Sequence, residues 1–377
     1  MLEKKPLGRP AWVDTPQALT QMVEHLLGYP QLAVDTESNS LHAYVEQVCL
    51  IQFSTPDNDY LVDPLALDDL SALGQVFASP LNEKIFHAAE YDVICLRRDF
   101  GFEFEFLFDT MIAARILGRG AVGLAAMLEE YFGIQMDKRF QRANWAERPL
   151  SEEMYAYASM DTRYLIPLRA RIYEELQRAG LWDLAQEDFR RVAQVTGANG
   201  NGGSSCWRLA GNYPITHRQA AILQELCRFR EDQARRRNIP LFRVMQDEQL
   251  LAIAVAMPRS PQELERCGGL SPKLRQRYAN AILQAVERGM SAAPPPRPQN
   301  ARPPEDVLER QEALKQWRKD TGRSLGVESD VVLPRDVLDE LAAGNPRSLA
   351  EVEKIMASVP YRFKKYGDQI LFVLKTI

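Results

Sequence analysis

From about residue 208 onward the chain repeats itself at a constant offset of 88 residues. Arg230 and Arg318, the triplets Pro258-Arg259-Ser260 and Pro346-Arg347-Ser348, Tyr278 and Tyr366, and the pairs Ile282-Leu283 and Ile370-Leu371 all keep that spacing. Within each copy the apolar residues recur at helical intervals, as in Leu250, Ile253, Ala254 and Met257, or Val337, Leu338 and Leu341. Pro-Arg-Ser then breaks the chain and another helix follows, so each copy reads as a small all-α bundle. The C-terminal half therefore reads as one helical unit used twice, and a length of 377 residues suggests two or three domains with cores of their own.

Composition supplies the joints. Gly197 to Ser205 is rich in Gly, Asn and Ser and predicts a flexible hinge; Ala292 to Pro304 is rich in proline and predicts a stiffer, extended spacer. Three modules follow, over 1–195, 208–290 and 305–377, with linkers at 196–207 and 291–304. The first module has a different texture. Leu32-Ala33-Val34-Asp35, Val48 to Phe53, Tyr60-Leu61-Val62 and Lys84 to His87 are short apolar runs bounded by turn residues, as strands are. Helical stretches are expected at Thr15 to Leu27, Ala88 to Phe100, Thr110 to Leu117 and Ser151 to Leu181. Close-linked strands followed by strands alternating with helices predict an α/β module with a mixed sheet.

Charge is unevenly spread. Residues 1–200 hold 18 Lys and Arg against 30 Asp and Glu, residues 201–300 hold 15 against 8, and residues 301–377 hold 13 of each. A basic module tethered to an acidic one fits a polyanion held by the first and processed by the second; a solvated basic face is the plainer alternative. In the middle module Arg235-Arg236-Arg237 crowd one stretch and are the candidates for phosphate contact, whereas Arg230 and Arg318, at equivalent places in both copies, read as structural. The five cysteines are scattered, no CxxC pair occurs and there are four histidines, so a zinc site or disulfide framework lacks ligands. No run approaches the roughly 20 apolar residues of a membrane span, and Met1 to Pro6 lacks the apolar segment of a signal peptide, so a cytoplasmic protein is expected.

If a metal is used, carboxylates must hold it. Asp35 and Glu37 lie two apart at a strand's end and point to one side. Tyr157 and Asp161 lie four apart on one helix face, and Asp92 opens the helix after the Lys84 to His87 strand. Asp35, Glu37, Asp92 and Asp161 together make an all-oxygen set suited to Mg²⁺ or Mn²⁺. Asp109-Thr110 reads as a helix N-cap, His87 as a supporting or core residue, and Trp145 and Phe140 as packing or loop anchors.

An Asp-x-Glu strand, a middle Asp and a Tyr-x-x-x-Asp helix, in that order, resemble the three motifs of the DEDD exonuclease superfamily in its tyrosine subclass. Cys49-Leu50-Ile51-Gln52, His87 to Asp92, Phe108-Asp109-Thr110 and Trp145 with Arg148-Pro149-Leu150 extend the likeness, and the two repeats resemble HRDC domains. The resemblance covers nearly the whole chain. It implies a ribonuclease H-like (DnaQ-like) exonuclease domain followed by two HRDC bundles. It also implies two divalent ions, Mg²⁺ or Mn²⁺, and stepwise release of 5′-mononucleotides from RNA with a free 3′ end, tRNA precursors above all.

By the family's pattern Asp35 would bridge both ions, and Glu37 and Asp161 would complete the ion on the nucleophile's side. Asp92 would hold the other ion, and Tyr157 would orient the water. A monomer is expected. The same acids would serve a DNA exonuclease, since the preference rests on a 2′-OH contact. A nucleic-acid-binding adaptor with an inactive nuclease fold is the reading from another class, and the complete set of acids argues against it.

Overall fold

The computed structural model describes residues 8–197, 206–211, 213–296 and 303–377, so most of the Gly-rich hinge and part of the Pro-rich spacer lie outside the described residues. The described chain forms two compact units. One holds Val48–Gly197, the segment ending at Ser38 and the second repeat; the other holds Asn39–Gln47 with the first repeat.

The nuclease-like part of the first unit has six strands: β1 (Ala11–Val13), β2 (Gln31–Ser38), β3 (Val48–Ser54), β4 (Asp59–Val62), β5 (Glu83–Phe86) and β6 (Leu107–Asp109). Its helices are α1 (Pro16–Leu27), α2 (Ser71–Phe77), α3 (Glu90–Phe100), α4 (Thr110–Ile116), α5 (Leu124–Phe132), α6 (Glu152–Arg163), α7 (Leu165–Ala179) and α8 (Trp182–Ala193). The strands run in the order β1-β4-β3-β2-β5-β6, antiparallel at β4/β3 and β3/β2 and parallel elsewhere, so the sheet is mixed as expected.

Alternation along β2 assigns the two faces. Leu32 and Val34 enter a core with Met22 and Leu26 of α1, Leu73 and Phe77 of α2, and Val93 and Leu96 of α3. Ala33, one position out of step, enters another with Phe108, Ala113, Leu168, Ile172 and Phe189. A third cluster, Leu50, Leu61, Trp145, Leu150 and Ala158, packs α6 over β3 and β4. Asp35 and Glu37 continue the Ala33 face, and Thr36 continues the face that α3 covers.

Several elements are absent from the sequence reading, and one expectation needs correction. β1 and β6 are strands of only three residues, too short to show a period. The helices α2, α5 and α8 lie outside the expected helical stretches. The expected helix from Ser151 to Leu181 is two, broken at Tyr164, with Pro167 in the first turn of α7, where a missing amide is tolerated.

The second repeat comprises α15 (Glu305–Leu325), α16 (Ser329–Val332), α17 (Arg335–Gly344), α18 (Leu349–Ile355) and α19 (Pro360–Lys375). It is packed on α8 through Arg362, which is fully buried. The guanidinium donates to Glu187 Oε1 at 2.6 Å, to both Asp188 oxygens at 2.7 and 2.9 Å, and to the carbonyl of Val331 at 2.9 Å. The backbone amide of Tyr361 adds a 2.6 Å bond to Glu187 Oε2. Arg191 to Asp336 at 2.7 Å and Arg115 to Asp330 at 2.6 Å complete the docking.

The other unit holds the first repeat: α9 (Cys206–Ala210), α10 (His217–Arg237), α11 (Leu241–Val244), α12 (Asp247–Ala256), α13 (Pro261–Arg266) and α14 (Pro272–Ser291). The 88-residue register carries over into its hydrogen bonds. Arg230 donates to the carbonyl of Met245 at 3.0 Å and Arg318 to that of Leu333 at 2.9 Å, so both arginines are structural. Ser260 and Ser348 each cap the helix that follows. The segment Asn39–Gln47, which leaves β2 after Ser38, packs with this bundle. Tyr44 donates its hydroxyl to Glu231 and its ring lies 5.5 Å from the Arg235 guanidinium, while its amide donates to Asn238 Oδ1 at 3.2 Å.

Candidate active site

Carboxylate oxygens of Asp35, Glu37 and Asp161 lie within 4.8 Å of one another, the only group of metal-ligating type among the described residues. Two elements bring them together. β2 delivers the first pair, and α6 delivers Asp161, with Tyr157 one turn earlier on the same face. The residues next to Asp161 lock α6 to the β3–β4 hairpin. Thr162 Oγ1 meets Ser54 Oγ at 2.7 Å, Ser54 Oγ donates to Asp59 Oδ1 at 2.7 Å, and Arg163 donates to Asp59 Oδ2 at 2.7 Å. Ser151 caps the start of the helix through the amide of Met154.

Asp92 is the third residue of α3 and reaches the end of β2 from the other face of the sheet, where Thr36 donates its hydroxyl to Asp92 Oδ1. It stands outside the tight group of three, yet close enough for its charge to act on both Asp35 and Glu37. The expected four acids therefore divide into a cluster of three and a fourth held from α3.

The site resists ionisation. Burial, then the charges of Asp92, Asp161 and Glu37, holds Asp35 well above the carboxylate range. Burial, then Asp161 and Asp92, does the same for Glu37. Burial pushes Asp92 and Asp161 up to about 7, an effect that the Thr36 bond partly offsets at Asp92. Like charges gathered under a helix repel unless a cation sits among them, and an all-carboxylate donor set matches hard divalent ions, so the residues fit the Mg²⁺ or Mn²⁺ that the sequence implies. Gln52 adds a further sign. It pairs with Asp35 across β2 and β3 and is fully buried, and neither atom of its amide has a hydrogen-bond partner.

Burial and the neighbouring Asp161, Glu37 and Asp35 raise the Tyr157 phenol strongly, so it keeps its proton through the neutral range. Its ring is framed by Trp145, at 5.9 Å between centroids, and by Phe140, edge-on at 5.7 Å. Trp145 is 1% exposed and belongs to the core, as expected. Arg148 anchors the same loop by donating to Asp63 twice at 2.7 Å and to the carbonyls of Trp145 and Cys49. His87 is not among the clustered ligands; its Nδ1 meets Thr110 Oγ1 at 2.9 Å. Asp109 caps α4 as expected.

The three arginines proposed for phosphate contact are not equivalent. Arg235 is engaged with Tyr44, Glu231 and Asp232, and Arg237 donates to the Tyr278 hydroxyl at 2.7 Å. Arg236 is exposed, with no ion-pair partner among the described residues. Sequence reasoning missed Thr36, whose place in the middle of Asp-Thr-Glu gives no hint of its partner, and Arg362, whose partners lie about 175 residues away.

Comparison with known proteins places the chain's domains. Residues 10–177 match the family model described as 3′-5′ exonuclease, and residues 219–286 and 307–374 each match that of the HRDC domain. Ribonuclease D of Escherichia coli strain K12 is 32% identical over 281 residues, 74% of each chain. Exosome complex exonuclease RRP6 of Saccharomyces cerevisiae is 41% identical over 177 residues, 46% of this chain and 24% of that protein. Among solved structures, that of Escherichia coli RNase D, described as an exoribonuclease involved in structured RNA processing, aligns over 98% of this chain and 99% of its own. Its TM-score is 0.69 and its identity 26%.

Proposed function

The chain belongs to the ribonuclease D family of metal-dependent 3′-5′ exoribonucleases, and from that premise we propose that it trims the 3′ ends of structured RNAs, tRNA precursors among them, one 5′-mononucleotide at a time. The observation that carries the reading is the meeting of Asp35, Glu37 and Asp161 within 4.8 Å, with Asp92 opposite and Tyr157 alongside.

In this reading Asp35, Glu37 and Asp161 would hold one divalent ion, and Asp35 and Asp92 would serve a second. Bound Mg²⁺ or Mn²⁺ supplies Lewis-acid stabilisation of charge on the scissile phosphate and eases deprotonation of water. Water adds to phosphorus, the bond from phosphorus to the 3′ oxygen breaks, and that oxygen ends protonated as the new 3′ end. Tyr157 orients the attacking water as a hydrogen-bond donor, because a phenol held above its usual range is unavailable as a base at neutral pH. Thr36 keeps Asp92 aimed at the site, and the lock formed by Thr162 and Arg163 keeps Asp161 there.

Arg235, Arg236 and Arg237 contribute phosphate contacts, with Arg236 the most available. The protein works as a monomer in the cytoplasm. No helix among the described residues is long and apolar enough to cross a membrane.

The test is hydrolysis of matched RNA and DNA oligonucleotides with Mg²⁺, Mn²⁺ or EDTA, resolved by length, for the unsubstituted chain and Asp161→Asn. RNA ladders shortening from the 3′ end only with metal, weaker action on DNA, and loss of cleavage with RNA binding intact in Asp161→Asn are expected. Cleavage in EDTA, or full activity of the variant, would show the carboxylate reading to be wrong.

A further inference from the structure

Helix α3 carries Asp92 in its first turn, yet its own N-cap residue is Ala89, which has no side chain to offer. The missing cap comes from across the sheet. Asp109, 1% exposed, accepts the amide of Ala89 on Oδ2 at 2.7 Å, and on Oδ1 it accepts those of Ala88 at 3.2 Å, Met111 at 2.8 Å and Ile112 at 3.0 Å. One carboxylate thus closes the starts of both α3 and α4. The next residue takes the rest of the turn. Thr110 donates its hydroxyl to the carbonyl of Phe86 at 3.0 Å, so it accepts from His87 Nδ1 at 2.9 Å. Every residue of Phe86-His87-Ala88-Ala89 is held by Asp109 or Thr110.

That turn needs holding. Ala88 has φ of 65°, the left-handed region that an alanine avoids unless its surroundings enforce it. Three residues after the grip ends, past Glu90 and Tyr91, comes Asp92, with Val93 N bonded to the carbonyl of Ala89 at 2.9 Å. The turn therefore sets where the first turn of α3 begins and which way its third residue faces.

We propose that Asp109, assisted by Thr110, is a positioning residue for Asp92. It acts through the amides of Ala88 and Ala89, outweighing the like charge that it also presents to Asp92, and fixes the ion site that Asp92 serves without touching an ion. The inference rests on the reading of Asp92 as a metal-holding group. Groups bonded directly to a ligand typically alter metal affinity by roughly 10–100-fold, and Asp109, one step further out, belongs at the lower end of that range. A purely structural Asp109 would instead weaken the whole fold, including the cluster of Asp35, Glu37 and Asp161.

The experiment is Mn²⁺ titration by electron paramagnetic resonance on the full chain, stripped with EDTA and exchanged into metal-free buffer, with thermal unfolding measured in parallel. The proteins are the unsubstituted chain, Asp109→Asn, and Asp109→Asn combined with Ala88→Gly. Asparagine keeps one acceptor oxygen but turns an NH₂ group toward the remaining amides; glycine relieves the left-handed conformation, so the turn needs less holding. Expected is a loss of about tenfold at one of the two Mn²⁺ sites in Asp109→Asn, the other unchanged within about twofold, and partial recovery on adding Ala88→Gly. Two unaltered sites, or both sites weakening together with the melting temperature, would overturn the proposal. Fewer than two Mn²⁺ bound by the unsubstituted chain would instead overturn the reading of Asp92 on which it rests.

Discussion

Thr36 donates its hydroxyl to Asp92 at the end of β2, so the residue between the two β2 carboxylates is itself bonded to the acid of α3. The Asp-Thr-Glu triplet thereby serves the site from both faces of one strand. Asp35 and Glu37 look toward α6, and Thr36 looks toward α3.

Replacing Thr36 with valine keeps the shape and removes the donor. Asp92 loses the bond that partly offsets its burial, so its carboxyl moves further above the ordinary range and binds a cation less readily. The Mn²⁺ concentration for half-maximal RNA hydrolysis is expected to rise about tenfold, with Thr36→Ser close to the unsubstituted enzyme. A midpoint that does not move would show that Thr36 is dispensable to Asp92.

The pH dependence of stability in EDTA follows from the same acids. Asp92 and Asp161 have folded values of about 7 against an ordinary 3.8, so their protonated forms favour the folded state. That contribution is fully present below about pH 4 and is lost as pH rises through about 7. In EDTA the melting temperature should therefore fall between pH 5 and pH 7.5. Saturating Mg²⁺ or Mn²⁺ should restore it at pH 7.5, by about 2.7 kcal/mol at a hundredfold excess over Kd. A melting temperature indifferent to metal at pH 7.5 contradicts the assignment.

Arg362 is the test of how the second repeat is attached. Alanine there leaves Glu187, 3% exposed, without its buried partner, a change that costs about 3–5 kcal/mol. Urea unfolding of Arg362→Ala should show that loss, and Arg362→Lys should recover part of it, because one ammonium cannot serve Glu187, Asp188 and Val331 at once. A loss below about 1 kcal/mol, the range of an exposed pair, would mean the docking is loose.

The arginine run gives a graded expectation for RNA affinity against salt. Arg236→Gln should reduce the salt slope by about one, the share of a single phosphate contact. Arg237→Gln should reduce it less, since that guanidinium is already engaged by Tyr278. Equal slopes for all variants would remove the run from the RNA-binding surface.

The candidate site residues were picked out by order rather than by any one pattern: an Asp-x-Glu strand or a Tyr-x-x-x-Asp helix alone is common, but the two with Asp92 between them resemble the exonuclease motifs. What supports them was not legible. A three-residue strand has no period to detect, and the break at Tyr164 depends on how α6 and α7 pack on different parts of the sheet. The 88-residue register predicted that the two repeats share a fold, but it gave no sign that the second packs on α8. Arg362, one of several residues that dock the second repeat, corresponds at that register to Leu274, which packs against the core of the first bundle.

The grouping of Asn39–Gln47 with the first bundle has a practical consequence for dissection. A fragment ending near residue 195 would retain Tyr44 but strip it of Glu231, Arg235 and Asn238, and would retain Glu187 and Asp188 but strip them of Arg362. Such a fragment carries two raw surfaces, one of them a tether starting just past Glu37. Its failure on RNA would not measure what the bundles grip. Point substitutions in the intact chain are the cleaner instrument, because here modules that look detachable by sequence are stitched back into each other's fabric.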